Sequence, residues 1–194
     1  MYIAPNFRAD RWKELALEDE ESADWDVAIA TLDGRIRERY IAPADFLVSA
    51  EKGALASERR FGFSVLAIDC LLVETLGAFF DGLEQTTGQS EKIFCKFLTS
   101  RTLFKEYFGE PLARQFYKEF RCGVLHQAEV GGSGKVWSVG PLVRKDGESV
   151  IVNRNEFHER LKSEFAAYLQ ELRDPAYVQL RSNFRKKMAF IARA

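Results

Sequence analysis

The chain has 194 residues, 46% of them hydrophobic and 29% charged, a balance that is typical of one globular domain and excludes a disordered chain. The formal net charge of −1 excludes a general attraction of the whole chain for nucleic acid. Three cysteines without a CxxC spacing argue against a disulfide framework.

The N-terminus lacks the basic and then apolar order of a signal peptide. The longest apolar run, residues 65–80, is interrupted by Asp69 and Glu74, which argues against a membrane-spanning helix. We therefore expect a cytoplasmic protein without a membrane contact.

The first half of the chain is expected to be helical. A short helix is predicted over residues 9–17, and a second one from Asp24 until Pro43 ends it. Apolar residues recur every three or four positions over residues 57–83, where Ser57 is a suitable N-cap. This pattern predicts the central and most buried helix of the domain.

Shorter helices are expected after Ser90 and Ser100, and another from Glu110-Pro111, where proline favours the first turn. The apolar period then changes, and Asp146-Gly147 is a hairpin turn signal, which predicts a small β-hairpin over residues 135–153. Two further helices follow, the first capped by Asn155, with His158 exposed in its first turn. The sequence thus predicts a mainly α helical bundle, with the hairpin inserted before the last two helices.

Charge is unevenly distributed at the two ends of the chain. Residues 14–26 contain many acids and no base, whereas residues 176–194 contain five bases and no acid. These segments are either two solvated helix faces or, at the C-terminus, a patch that attracts phosphate. Such a patch would bind RNA through Arg181, Arg185, Lys186 and Lys187.

The segment FRCGVLHQ carries the most specific chemistry. Arg121 and His126 lie five positions apart near the end of a predicted helix. An imidazole can take a proton from an RNA 2′-hydroxyl or protonate a leaving oxygen, and a guanidinium matches phosphate oxygens. Two other interpretations stay open, in which His126 is a core histidine beside a surface Arg121, or forms half of a zinc site with Cys122.

The string RCGVLH resembles the R-x4-H signature of the HEPN superfamily, helical-bundle proteins that include many metal-independent RNases of toxin–antitoxin and phage-defence systems. The resemblance covers residues 57–130 best, and the LLVETL helix is similar to an earlier core helix of that family. It implies catalytic roles for Arg121 and His126, with Glu74 orienting one of them. Glu74 is equally interpretable as a paired buried acid.

The resemblance implies one HEPN-like domain over residues 1–194, with an N-terminal helical extension (1–53), core helices with the motif (57–130), the hairpin (135–153) and C-terminal helices (155–194). It also implies an endoribonuclease without cofactor or metal. A single protomer supplies one histidine at this site, so a homodimer with facing motifs is expected. RNA and a cognate antitoxin are the other expected partners.

Two alternatives remain, a non-catalytic HEPN module that binds a protein or nucleotide, and a purely structural helical dimer. Active HEPN proteins usually have a polar residue such as Asn or Asp directly after the motif arginine. Here Cys122 occupies that position, which favours the binding module.

Overall fold

The computed structural model describes residues 1–123 and 134–193. The helices are α1 (Ala9–Trp12), α2 (Asp24–Ile36), α3 (Ala42–Ser49), α4 (Gly62–Asp81), α5 (Ser90–Ser100), α6 (Glu110–Phe116), α7 (Arg154–Arg173) and α8 (Val178–Ile191). Two π-helical segments, Arg37–Ile41 and Tyr117–Cys122, extend α2 and α6, and a 3-10 turn spans Ala56–Glu58. The strands are β1 (Tyr2–Ala4), β2 (Phe7–Arg8), β3 (Lys135–Trp137), β4 (Val143–Asp146) and β5 (Ser149–Asn153). The predicted mainly α fold with a small β-hairpin is confirmed.

Helix α4 is the centre of the fold. It packs against α3, α5, α7 and α8 and against the π-helical segment after α6. Most of its apolar side chains are buried, among them Val65, Leu72 and Phe79, whereas Leu71 is 38% exposed. The predicted core helix is therefore confirmed, although it begins at Gly62 instead of Ser57. It ends where Gly82 adopts a left-handed φ of 63°, which glycine accepts without strain.

Among the described residues, α4 is also the one helix that is long and apolar enough to cross a membrane by length and composition. Most of its length is buried inside the protein, however. The core helix of a soluble protein has this same character, and the burial of α4 fits that description.

The N-terminal residues differ from the prediction in two respects. β1 and β2 form an antiparallel pair that was not predicted, and α1 ends at Trp12. Pro43 does not end the second helix, because it lies in the first turn of α3, where its missing N–H needs no partner. The π-helical segment before it carries the chain from α2 directly into α3.

The predicted hairpin is part of a three-stranded sheet with the order β3-β5-β4. β4 and β5 pair antiparallel across Gly147, whose φ is 60°, and β3 joins β5 in parallel. Helix α7 follows β5 directly. The Oδ1 of Asn153 accepts hydrogen bonds from the backbone N–H groups of Asn155 (3.1 Å) and Glu156 (3.4 Å), so Asn153 is the cap in place of the predicted Asn155.

Candidate functional site

Aromatic packing fixes the segment that carries Arg121. The Phe116 ring lies 4.8 Å from Phe120 and 5.3 Å from Phe157 between centroids, and both Phe116 and Phe120 are fully buried. These two phenylalanines anchor one face of the helix in the core. Arg121 follows on the π-helical turn Tyr117–Cys122, a wider turn that is common at functional sites.

Arg121 meets Glu74 of the central helix. The Nε and Nη2 atoms of Arg121 donate to Oε2 of Glu74 at 3.2 and 2.8 Å. Both side chains are largely buried, with 16% and 11% of their areas exposed. The structure therefore brings together two of the three residues to which the sequence analysis gave catalytic roles.

The other carboxylate oxygen of Glu74 is also occupied. Oε1 accepts from the hydroxyls of Thr86 (2.6 Å) and Ser90 (2.7 Å). Thr86 lies in the loop before α5, and Ser90 opens that helix, so both come from a segment distant in sequence from Arg121. Spacing alone gave no signal for these contacts, since Ser90 was expected only as a helix cap.

The pKa of Glu74 reflects this environment. Burial alone would raise it, but the hydrogen bonds from Thr86, Ser90 and Arg121 outweigh burial and lower the pKa below its ordinary value. Glu74 is therefore a stable carboxylate at neutral pH. A carboxylate with a lowered pKa orients a cation well and is a weak proton acceptor.

Glu74 engages only some of the donors of the Arg121 guanidinium. A guanidinium has five N–H groups, of which Nε and one on Nη2 face Glu74. The two on Nη1 and the second on Nη2 have no hydrogen-bond partner within residues 1–123 and 134–193, so the geometry there allows a contact to phosphate. The carbon Cζ also lies 5.5 Å from the centroid of the Tyr117 ring, which limits the orientation of the plane.

His126, the third residue of the predicted catalytic set, lies outside the described residues. The other histidine, His158, was expected to be exposed, and that expectation was wrong. It is 1% exposed, and its ring lies between Asp69 (Nδ1 to Oδ1, 2.7 Å) and Asp45 (Nε2 to Oδ1, 3.2 Å). Helix α7 begins at Arg154, which turns this residue toward α4 and away from solvent.

The predicted RNA-binding patch is smaller than expected, because Arg181 is 1% exposed and therefore does not belong to a surface patch. Arg185 donates to the carbonyl oxygen of Leu17 at 2.8 Å, and Lys187 to that of Glu84 at 2.7 Å. Lys186 is exposed. These residues belong to helix α8. RNA binding by α8 stays a prediction for Arg185, Lys186 and Lys187.

Within the residues that the structure describes, no three His, Cys, Asp or Glu side chains are grouped so that they could hold a metal ion. The zinc interpretation of Cys122 and His126 stays a prediction, because His126 lies outside the described residues. Comparisons with protein-family models, with curated proteins and with solved structures found no match for this chain.

Proposed function

We propose that this protein is a metal-independent endoribonuclease of HEPN type, with a role in a toxin–antitoxin or phage-defence system. One observation carries the proposal. Arg121, the arginine of the R-x4-H motif, is oriented by a buried, ionised Glu74, while three of its N–H groups have no partner among the described residues. A fixed fork of donors is what recognition of a scissile phosphate requires.

In the proposed reaction, His126 takes the proton from the RNA 2′-hydroxyl, and the resulting alkoxide attacks the adjacent phosphorus. An imidazolium then protonates the departing 5′-oxygen, and the 5′ fragment keeps a 2′,3′-cyclic phosphate. Arg121 stabilises the negative charge that grows on the phosphate oxygens. Glu74 is a positioning residue in this scheme, since its lowered pKa suits it to hold Arg121 and not to transfer protons.

The scheme includes a homodimer. In-line cleavage requires a base and an acid on opposite sides of the phosphorus, and one protomer supplies a single motif histidine. A twofold axis close to the Tyr117–Cys122 segment would bring a second His126 to the same phosphate. Sedimentation as a monomer at micromolar concentration would contradict this part of the proposal.

A non-catalytic binding module is the competing function. It is favoured by Cys122 after the motif arginine and by the ion pair itself, since Glu74 already balances the charge of Arg121. A protein or nucleotide ligand would then occupy the same region without being cleaved.

Cleavage of total RNA in EDTA distinguishes the two functions. The parent protein is expected to produce 2′,3′-cyclic phosphate ends, and His126→Ala and Arg121→Ala to lose cleavage by about a hundredfold or more, the usual contribution of one acid–base group. Arg114→Ala is the matched control, because Arg114 is an exposed arginine two turns earlier whose partners are the exposed acids Glu91 and Glu110.

The same RNA assay has two informative outcomes. Activity in the Arg114→Ala control together with loss in both motif variants supports the nuclease and its two residues. A folded parent protein that leaves RNA intact would overturn the nuclease and leave the binding module as the better explanation.

A further inference from the structure

A second polar region lies at the N-terminal end of α4, around a cavity of about 360 Å³. Gly62 opens α4 there, and the walls come from Arg59 before the helix, β3 with the residues after it, and Arg154 at the start of α7. Glu74 is 12 residues further along the helix, about 18 Å away at 1.5 Å per residue. The cavity is therefore separate from the Arg121–Glu74 pair.

Arg154 is the most unusual residue of this cavity. Its side chain is 2% exposed, and Nη2 forms an ion pair with Glu51. Its Nε and Nη1 atoms have no hydrogen-bond partner among the described residues. A buried charged group with unused donors is costly, and in natural proteins it commonly indicates a missing water or anion.

Among the described contacts, Glu51 meets Nη2 of Arg154 and neither of the two unpartnered nitrogens. Oε2 accepts from Arg154, and Oε1 accepts from the backbone N–H groups of Arg60 and Phe61. Burial alone would raise the pKa of Glu51, but these hydrogen bonds outweigh burial and lower the pKa. Glu51 thus stays charged and engages Nη2 of Arg154, while Nε and Nη1 have no partner in the described part of the chain.

The N-terminus of α4 adds a second source of positive potential. An ideal Cβ on Gly62 would lie 3.7 Å from Nη1 of Arg154, so the free donor is next to the first residue of the helix. Helix α4 has 20 residues and no side-chain cap within the part of the chain that the structure describes. The first N–H groups of a helix lack intrahelical partners and carry a positive partial charge.

Arg59 completes the cationic side of the cavity. Its Nη1 donates to the carbonyl oxygen of Ser138 at 3.3 Å, while its buried Nε has no partner among the described residues. The described lining of the cavity contains Arg59 and Arg154 and no acidic side chain. Two guanidinium groups and a helix N-terminus therefore surround one small space.

The remaining wall is flat and apolar. Val136, Trp137 and Val139 line it, the indole of Trp137 is 44% exposed, and the guanidinium of Arg144 lies 4.8 Å from the indole centroid. An indole face of this kind stacks well against a planar ring. Gly62 lets β3 approach the start of α4 closely, since an ideal Cβ on Gly62 would lie only 3.2 Å from Cγ1 of Val136.

We propose that this cavity binds a small phosphomonoester that carries a flat ring, the chemistry of a nucleoside monophosphate. The phosphate accepts hydrogen bonds from Arg154, Arg59 and the first N–H groups of α4. The ring lies against the exposed indole of Trp137. This site is independent of the proposed nuclease, because it shares no residue with the Arg121 region.

Calorimetric titration with adenosine monophosphate, inorganic phosphate and adenosine tests this site. Adenosine monophosphate is expected to bind most tightly, because only it contacts both halves of the cavity. Arg59→Ala is expected to weaken its binding about tenfold or more through the loss of charge-assisted hydrogen bonds. Trp137→Ala is expected to weaken the binding of adenosine monophosphate but to leave the affinity for inorganic phosphate unchanged.

Arg60→Ala is the matched control, because this exposed neighbour of Arg59 does not line the cavity. Its affinity for adenosine monophosphate is expected to equal that of the parent. Thermal melts establish that each variant is folded. Arg59 is changed instead of Arg154 because Arg59 is only partly buried, so its replacement is better tolerated by the fold. The proposal is overturned if none of the three probes binds the parent, or if Arg59→Ala and Arg60→Ala bind adenosine monophosphate equally.

Discussion

His158 is buried among charged side chains that face it from three helices. Asp69 of α4 and Asp45 of α3 lie at its two ring nitrogens, and Lys162 of α7 donates to Asp45 at 2.8 Å. Two carboxylates can both accept from the ring only if each nitrogen carries a proton. Burial alone would lower the pKa of His158, but the bonds to Asp69 and Asp45 outweigh burial and raise the pKa.

This raised pKa predicts that stability falls as pH rises. A histidine whose folded pKa exceeds its unfolded value, about 6.5, contributes fully below that pH and loses its contribution as pH passes through the folded pKa. We expect the unfolding free energy of the parent, measured with urea, to decline above pH 6.5. The decline is expected to be smaller in His158→Gln.

Asp45→Asn provides a second variant, should His158→Gln not fold, because the Asp45 side chain is 42% exposed. Removal of one carboxylate lowers the folded pKa of His158, so the decline is expected to be smaller and to end at a lower pH than in the parent. Identical pH profiles for the parent and both variants would show that His158 does not titrate in this range.

At the scale of helices, α4 and α5 approach each other closely at Gly77. An ideal Cβ on Gly77 would lie 2.5 Å from Cγ2 of Ile93 and 3.4 Å from the backbone oxygen of that residue. We therefore expect Gly77→Ala to lower the unfolding free energy by about 1–3 kcal/mol, the usual cost of overpacking a core. Chemical denaturation measures this change.

Gly34→Ala is the matched control for this contact. Gly34 lies in α2, and its ideal Cβ would be 3.5 Å from Cδ of Pro5, an ordinary van der Waals distance. Alanine favours the helix there by roughly 0.5–1 kcal/mol, so this variant is expected to be slightly more stable than the parent. Equal stabilities of the two variants would show that α4 and α5 are not this close in solution.

The helices with one apolar face and one polar face were predictable from the sequence. The residues that begin and end them, and the contacts between elements, were not. The apolar period predicts α4 well, because burial of the Val65–Phe79 stripe dominates its energetics. Pro43 was misinterpreted because proline is compatible with the first turn of a new helix. The short β1–β2 pair has too few residues to show a period.

The candidate site was predictable to a similar degree. The family-like motif and the LLVETL helix pointed to Arg121 and Glu74, which the structure places in contact. Thr86, Ser90 and the Asp45–His158–Asp69 cluster had no local signal, because their partners are brought together only by the packing of separate helices. Long-range polar contacts of this kind follow from the tertiary fold.

At the scale of the whole molecule, the acidic N-terminal segment and the basic last helix are partners. Nη1 of Arg181 lies 2.8 Å from Oε2 of Glu20 and donates to the Glu20 carbonyl oxygen at 2.9 Å. The guanidinium of Arg181 also lies 3.5 Å from the centroid of the Trp25 ring. The two opposite charge runs of the sequence thus neutralise each other in part, and they join the two ends of the chain.

Arg181 is therefore expected to stabilise the fold, whereas Lys186 is exposed and free to contact a ligand. Arg181→Ala leaves a gap over Trp25 and removes the partner of Glu20, so we expect a loss of more than about 2 kcal/mol in unfolding free energy. Amide hydrogen exchange should increase in both α8 and residues 17–25, because each end of the chain holds the other in place.

Lys186→Ala separates the two roles of this helix. An exposed substitution is expected to change stability by less than about 0.5 kcal/mol. If the last helix attracts RNA, the same variant should weaken RNA binding and reduce its salt dependence, because one phosphate contact is lost. If Arg181→Ala is as stable as the parent, Arg181 does not join the two ends of the chain. If Lys186→Ala binds RNA as the parent does, the role of helix α8 is structural alone.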